Sequence, residues 1–235
     1  MKILHISAGG KGERIAPYIS TLYPSLPKHL LPIPVAGSTL LGQIIYNTKD
    51  HFDTIIVWTN KDTHSQISCK FEKKHKLHMR TDSHMSGPLG PVVRSVLSFE
   101  GRSYGCAGDF YCDFSWLDFE LFHDSHSCPI SLLVARSVAA PRGARFFLEG
   151  DVVNYWERVG TTKVDDYINI GCYIIDHTPE VCSLVRTMCK HKEDEFFDIF
   201  IPLGMVAGFD PGVIGYNINT KGVYESLMHF FSTSK

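Results

Sequence analysis

Residues 7–34 read SAGGKGERIAPYISTLYPSLPKHLLPIP and directly follow a short apolar run, residues 3–6. The apolar run predicts a buried strand. The glycines after it predict a loop, because glycine adopts positive φ and lets the backbone approach a ligand closely. Arg14 carries a forked set of donors suited to phosphate oxygens, and Lys28 adds a second cation before another apolar run. Together these features indicate a polyphosphate-binding site.

Two common glycine motifs do not describe this loop. A dinucleotide-binding GxGxxG motif needs a third glycine where Ile15 stands, and the GxxxxGK[ST] phosphate loop is absent. A glycine-rich surface turn with two unrelated basic residues is the alternative interpretation of the same stretch.

The complete pattern is more informative than the glycines alone. G-G-x-G-x-R-[LI], a proline soon after it, and P-K before L-L-P-I resemble the signature of the sugar-1-phosphate nucleotidyltransferases of the NTP-transferase superfamily. Short members act on heptose, mannose or muramic-acid 1-phosphates. The resemblance implies a three-layer α/β/α fold with a mostly parallel twisted sheet and a small β-hairpin that forms a sugar-binding subregion. It also implies one domain over residues 1–235, with a nucleotide-binding half (1–112) and a sugar-phosphate-binding half (113–235).

Length and charge agree with a single enzyme domain. The chain has 235 residues and a net charge of −2, without a basic block, which argues against a nucleic-acid partner. The longest apolar run is far shorter than a membrane span, and no secretory signal opens the chain. Seven scattered cysteines are typical of reduced thiols, and we expect a cytoplasmic location. A homodimer is left open.

Periodicity places the main elements. A helix over residues 40–48 between strands at 3–6 and 53–59 makes a βαβ unit, which favours a parallel sheet. Further strands are predicted at 77–80, 103–109, 129–137, 167–175 and 213–216, and a hairpin is predicted to turn at Glu149 and Gly150. Further helices are predicted at 63–74, 92–97, 114–123, 179–190 and 223–231.

The resemblance implies a nucleotide site built mostly from backbone. Residues 86–92, SGPLGPV, resemble a family P-L-G-T-A segment that lies along the base and ribose, with Pro91 at the threonine position, where it removes a backbone donor. A plain turn at the start of a helix is the alternative. The nucleotide-binding residues expected from the resemblance are Ala8, Gly9, Gly10, Gly12, Pro88, Gly90 and Gly108.

A carboxylate follows the strand at 103–109. Asp109 stands at the strand end, where α/β sheets bind ligands, and a carboxylate near a triphosphate is a natural Mg²⁺ ligand. A loop or capping aspartate is the alternative. The resemblance implies Mg²⁺ as the cofactor, with a second ligand in a late D-x-G-T segment. This chain has Asn217 at the aspartate position and Asn219 at the glycine position.

The second half carries the residues expected for the sugar phosphate. Trp156-Glu157-Arg158 resembles a family F-x-E-K segment, in which Glu157 would bind sugar hydroxyls and Arg158 the phosphate. Asn169 and Gly171 match an x-x-G-x-Y strand. An exposed Glu–Arg pair on a hairpin is the alternative.

The implied reaction joins an NTP and a sugar 1-phosphate into an NDP-sugar and pyrophosphate, with Arg14, Lys28 and Asp109 as the catalytic residues and the two substrates as partners. Two alternatives stay open. One is a cytidylyltransferase that acts on a non-sugar phosphate or phosphonate. The other is a catalytically weak regulatory subunit, marked by Asn217. The sequence identifies neither the base nor the sugar.

Overall fold

A computed structural model describes residues 1–35, 38–71, 77–82, 89–98, 100–138, 140–188 and 193–233, with residues 140–143 described by their backbone. The strands are β1 (Ile3–Ala8), β2 (Thr54–Thr59), β3 (Leu77–Thr81), β4 (Arg102–Ala107), β5 (Phe110–Tyr111), β6 (Ile130–Ser137), β7 (Ala140–Glu149), β8 (Val152–Thr162), β9 (Tyr167–Asp176), β10 (Val206–Phe209) and β11 (Ile214–Asn217). The helices are α1 (Ala16–Leu22), α2 (Leu40–Thr48), α3 (Lys61–Phe71), α4 (Gly90–Val96), α5 (Trp116–Asp124), α6 (Pro179–Thr187), α7 (Glu193–Phe200) and α8 (Lys221–Thr233).

The sheet is mixed, but most of its strands run in one direction. β1 pairs in parallel with β2 and β4, and β2 pairs in parallel with β3. β9 lies antiparallel to both β4 and β6, so β4 and β6 share a direction, and β10 and β11 run parallel to β6. The carboxyl ends of β1, β4, β6 and β11 therefore meet at one edge, together with the first residues of β9.

Alternation along β9 explains the layers. Ile170, Cys172 and Ile174 pack with α2, α3 and α5 on one face of the sheet. Tyr173 and Ile175 pack with α4, α6 and α7 on the other face. Successive side chains of a strand point to opposite faces, so helices cover both faces and the molecule has three layers. This arrangement is the α/β/α fold that the sequence predicts; the division into halves at residue 112 stays a prediction.

The hairpin forms where it was predicted. β7 and β8 pair antiparallel over their whole length, and Gly150 takes a φ of +58° in the turn. The predicted loop over residues 8–34 was wrong in one respect, because α1 lies inside it. Pro17 supplies the fixed φ of a first helical turn, and Ile15 and Ile19 bury their side chains against α8. The short strands β5 and β10 and the helix α7 were not predicted.

The six cysteines in the described residues are all free thiols. Within the same residues, no helix has the length and the apolar character needed to cross a bilayer.

Candidate functional site

A cavity of about 710 Å³ opens at the edge where the strands end. Its walls come from the glycine loop after β1, the end of β4, the start of β9, the hairpin, the beginning of α7 and the segment after β11. Among the predicted site residues, those that line it are Gly10, Arg14, Lys28, Asp109, Arg158, Asn169, Gly171 and Asn217. Ligands of open α/β sheets bind at this edge.

The glycine loop packs directly over the side chain of Lys28. A Cβ added at Gly10 would lie 3.3 Å from both Cε and Nζ of Lys28. Gly12 has a φ of +67°, and its Cβ would lie 3.1 Å from Cδ of the same lysine. The loop is held from behind by Asn60, whose Nδ2 donates to the Gly9 carbonyl at 2.8 Å. Glycine at these positions therefore lets the backbone close over the lysine.

Lys28 and Asp109 form a buried ion pair at the base of the cavity. Their residues are 8% and 9% exposed, and the Lys28 ammonium bonds to Oδ2 of Asp109. Burial opposes ionisation of the carboxyl, but the Lys28 charge and hydrogen bond outweigh it and lower the pKa of Asp109. The carboxyl is therefore ionised beside the lysine, and each group compensates the burial of the other.

His29, beside Lys28, was not singled out by the sequence. Its side chain is 1% exposed, lines the cavity, and has an Nδ1 without a hydrogen-bond partner in the described residues. Burial, reinforced by the Lys28 charge, lowers the pKa of His29 to about 3. The imidazole is therefore neutral at physiological pH and adds no charge to the site.

A chain of amides connects Asn217 to the lysine. Nζ of Lys28 donates to Oδ1 of Asn219 at 3.3 Å, and Nδ2 of Asn219 bonds to Oδ1 of Asn217. The backbone holds the segment after β11 against Asp109, since the Ile218 amide donates to the backbone carbonyl of Asp109 at 2.8 Å. Asn217 thus lies beside the Lys28–Asp109 pair, and its role as a metal ligand stays a prediction.

The oxygen donors here suit a hard cation. The Asp109 carboxylate and the Asn217 amide oxygen are ligand types that Mg²⁺ accepts. The described residues hold no group of three acidic, histidine or cysteine side chains arranged for a metal. A magnesium ion would therefore need further oxygens from a substrate or from water, which is usual for Mg²⁺.

Two arginines stand at the cavity wall. Arg14 is exposed, follows the glycine loop, and pairs with no acidic side chain among the described residues. Arg158 comes from β8, and its guanidinium lies 5.8 Å from the centre of the Trp156 ring. Asp194 of α7 holds Arg158 through two hydrogen bonds, one of them 3.2 Å long from Nε. The two guanidiniums reach the same cavity from separate halves of the chain.

A polar network at the start of β9 was not predicted in full. Asn169 accepts from the Gly171 amide at 2.8 Å and donates to the Tyr173 hydroxyl at 2.6 Å and to Oε1 of Glu193 at 3.1 Å. The Tyr173 hydroxyl donates to the same Oε1. Burial raises the pKa of Glu193, although Tyr173 and Arg158 oppose the shift. The sequence signal for Glu193, an acidic run in the first turn of α7, is the same as that of any solvated helix start.

Gly171 lets the start of β9, which carries this network, pack closely against β4. Its φ is +85°, and a Cβ there would lie 2.8 Å from Cβ of Ala107. Gly108 is similarly confined, since its Cβ would lie 3.0 Å from the Ser7 carbonyl oxygen. These two glycines let β1, β4 and β9 come close together below the cavity.

Several predicted residues do not line the cavity. Ala8, Gly9, Gly12 and Gly108 support its walls, whereas Gly90 is buried at the first turn of α4, and Pro88 lies outside the described residues.

Glu157 also lies away from the cavity. It stands opposite Arg145 in the hairpin register and bonds to it, with 2.9 Å from Nε of the arginine to Oε1. Neighbouring residues of a strand point to opposite faces, so Arg158 and Glu157 do not share one site.

Comparison with known proteins supports the fold. No family model matches the chain, and no protein of curated function matches it in sequence. The solved structure of HddC from Yersinia pseudotuberculosis matches with a TM-score of 0.69 and 18% identity, over 98% of this chain and 100% of that one. HddC has also been solved in complex with GMP-PN.

Two further structures match over nearly the full length. A Bacillus anthracis protein assigned as a glucose-1-phosphate thymidylyltransferase, solved in complex with a sucrose, has a TM-score of 0.77 and 16% identity, over 98% of this chain and 95% of that one. The inositol-1-phosphate CTP transferase from T. maritima has a TM-score of 0.69 and 14% identity, over 99% and 97%. The chain therefore has the mixed α/β fold of nucleotidyltransferases.

Proposed function

We propose that this chain is a nucleotidyltransferase that transfers the nucleotidyl group of an NTP to the phosphate of a sugar or polyol. The observation that carries the proposal is that Arg14, Lys28, Asp109 and Arg158, from three distant segments, line one cavity. Formation of an NDP-sugar is the finer form of the proposal. Nucleotidyltransferases among the matching folds support the reaction class.

The reaction is a displacement at phosphorus. An oxygen of the acceptor phosphate forms a bond to the α-phosphorus, the bond from that phosphorus to the bridging oxygen breaks, and pyrophosphate leaves with the electron pair. Such a transfer needs no protein nucleophile. It needs two reactants held in line and the developing charge neutralised. The residues of the cavity are of the types that do both.

Each cation has a task in this scheme. Arg14 and the amides of the glycine loop hold the triphosphate, and Arg158 holds the acceptor phosphate. Lys28 lies between the two anions and offsets their repulsion, which for unit charges about 4 Å apart is roughly 4 kcal/mol at an effective dielectric of about 20. Without these cations the two substrates would not approach each other.

Magnesium is part of the proposal. Asp109 and Asn217 would hold the ion, which supplies charge stabilisation on the phosphate oxygens when bound. We expect Asn217→Asp to lower the Mg²⁺ concentration needed for half-maximal pyrophosphate release, because a carboxylate attracts the ion more strongly than an amide does. Asn47→Asp, on the exposed face of α2, is the matched control. An unchanged Mg²⁺ dependence in Asn217→Asp would mean that Asn217 does not contact the ion.

The direct test measures pyrophosphate release from each NTP with glucose 1-phosphate, mannose 1-phosphate, a heptose 1-phosphate, myo-inositol 1-phosphate and phosphocholine. We expect turnover with a hydroxylated acceptor. Turnover with phosphocholine alone would favour the non-sugar cytidylyltransferase. Without turnover, a melting-temperature screen separates a silent subunit from a wrong assignment, since an NTP at 100 times its Kd adds about 2.7 kcal/mol of stability. No turnover and no NTP-dependent stabilisation would overturn the proposal.

A further inference from the structure

We propose that Glu193, held by Asn169 and Tyr173, is the carboxylate that accepts hydrogen bonds from the hydroxyl groups of the acceptor, and that the acceptor is therefore a polyhydroxylated monophosphate. The inference rests on the proposed function and specifies its second substrate. It assigns to α7 the task that the sequence assigned to Glu157 of the hairpin.

The two glutamates differ in what they can reach. Glu157 is bonded to Arg145 and does not line the cavity. Glu193 lines it, together with Arg158. Oε1 of Glu193 accepts from Tyr173 and Asn169, whereas Oε2 has no hydrogen-bond partner among the described residues. One oxygen thus fixes the side chain and the other is available to a ligand.

The start of α7 also connects this carboxylate to the phosphate side. Asp194, the next residue, bonds to the guanidinium of Arg158 and orients it. An acceptor whose phosphate binds Arg158 would therefore place its carbon skeleton beside Glu193. Because Glu193 and Asp194 are consecutive on one helix, the expected binding sites for the hydroxyl groups and for the phosphate of the acceptor lie next to each other.

The chemistry of the pocket favours a neutral hydroxylated skeleton. A second phosphate or a carboxylate on the acceptor would be repelled by Glu193 and by Asp109, both of which line the cavity. A quaternary ammonium is usually held by several aromatic rings, but Phe197 is the one phenylalanine, tyrosine or tryptophan among the described lining residues.

The test compares Glu193→Gln with the wild type in steady-state pyrophosphate release. The acceptors are the best hydroxylated monophosphate of the panel and its monodeoxy analogues. Replacing the carboxylate by an amide weakens the hydrogen bond that a hydroxyl donates, so we expect the acceptor KM to rise about 10- to 100-fold, with the NTP KM within about twofold. The wild type should discriminate against at least one deoxy analogue, and Glu193→Gln should not.

Two variants separate a ligand contact from a structural effect. Glu180→Gln changes a glutamate in the first turn of α6, away from the cavity, and should leave both KM values unchanged. Tyr173→Phe removes the hydroxyl that holds Oε1 and should raise the acceptor KM less than Glu193→Gln does. If Glu193→Gln fails to fold, Glu193→Asp keeps the charge but withdraws it by one methylene, and it should also raise the acceptor KM.

The outcomes of the two proposals are distinguishable. An active wild type whose acceptor KM and deoxy discrimination survive Glu193→Gln would overturn the role of Glu193 and leave the transferase proposal standing. If the wild type releases no pyrophosphate with any pair, the transferase proposal fails. In that case, stabilisation of the wild type by glucose 1-phosphate or myo-inositol 1-phosphate, lost in Glu193→Gln, would still support hydroxyl binding, and its absence would refute it.

Discussion

Two ion pairs of this molecule differ in their burial and in how far apart their partners lie along the chain. Lys28 and Asp109 lie 81 positions apart in sequence, have side chains 8% and 13% exposed, and meet under the glycine loop. Arg145 and Glu157 lie 12 positions apart, stand opposite each other on the hairpin, and are 29% and 31% exposed. In the sequence, both pairs are simply one basic and one acidic residue. In the structure, one pair is buried and joins distant segments, whereas the other is partly exposed within a single hairpin. They should respond very differently to mutation.

The largest effect is expected at the buried pair. Lys28→Met leaves the Asp109 carboxylate buried without its cation, which typically costs about 3–5 kcal/mol of unfolding free energy. We also expect kcat/KM for the NTP to fall about 100- to 1,000-fold, because a positioned charge at the reacting phosphates is lost. Urea denaturation and pyrophosphate release measure the two effects.

A double variant separates stability from function in this pair. Lys28→Met combined with Asp109→Asn removes both charges, so most of the stability should return while activity stays lost. Lys221→Met, in a surface pair with Glu225, is the matched control and should change neither quantity much. If Lys28→Met were as stable as the wild type, the pair would not be buried in solution, and the contrast between the two ion pairs would fail.

Burial of a histidine in β1 also predicts an acid sensitivity. His5 in β1 is buried, and its Nδ1 accepts from Nε1 of Trp58 at 3.1 Å. Burial, with a smaller contribution from Arg94, lowers the pKa of His5 to about 4. The unfolded chain binds the proton more readily, so stability should fall as the pH drops from about 6.5 through 4, by about 3 kcal/mol in total.

The variant His5→Asn measures the contribution of His5 to this loss of stability, since the asparagine Oδ1 can still accept the hydrogen bond from Trp58. Relative to the wild type, it should lose less unfolding free energy between pH 7.5 and pH 4. The comparison above pH 7.5 serves as the control, because the histidine is neutral there in both states. Parallel curves for the two proteins across the whole range would contradict the assignment.

The glycine loop provides a smaller and more specific effect. Gly12 and Gly204 have nearly the same φ, +67° and +66°, but a Cβ at Gly12 meets Lys28 at 3.1 Å, whereas one at Gly204 meets nothing within 4 Å. Both alanine variants carry the cost of a left-handed residue, about 1 kcal/mol. Gly12→Ala should in addition displace Lys28 and lower kcat/KM, whereas Gly204→Ala should keep its activity. Equal activities would mean that the loop does not position the lysine.

The same contrast explains what the sequence could predict. The glycine loop, the cations and Asp109 occur in short motifs, β1 begins with a mostly apolar run, and β4 is followed directly by Gly108 and Asp109, so their positions follow from local signals. The cap of α2 is local too, since Thr39 accepts from the Gly42 amide at 3.1 Å. Helix α1 was missed because its seven residues, APYISTL, include a proline, a serine and two β-branched residues, which are weak helix formers, and burial against α8 outweighs that preference.

The acceptor side could not be predicted in the same way. Whether a strand residue faces the cavity or the opposite face depends on register, and register is set by long-range pairing. The motif resemblance therefore indicated both Glu157 and Arg158, but only Arg158 lines the cavity. Glu193 reaches the site through α7, which follows β9 in the chain and packs on it by contacts that no local pattern records.

The smallest effect of mutation is expected at Arg145 and Glu157, the ion pair of the hairpin. Arg145 and Glu157 are partly open to solvent, and exposed pairs gain little from their charges because water and salt screen them. In a double-mutant cycle of Arg145→Gln and Glu157→Gln, we expect a coupling close to the error of urea denaturation and an acceptor KM within about twofold of wild type. A large coupling would show that the hairpin pair is structural. A large rise in the acceptor KM for Glu157→Gln alone would return the hydroxyl-binding role to the hairpin and remove it from Glu193.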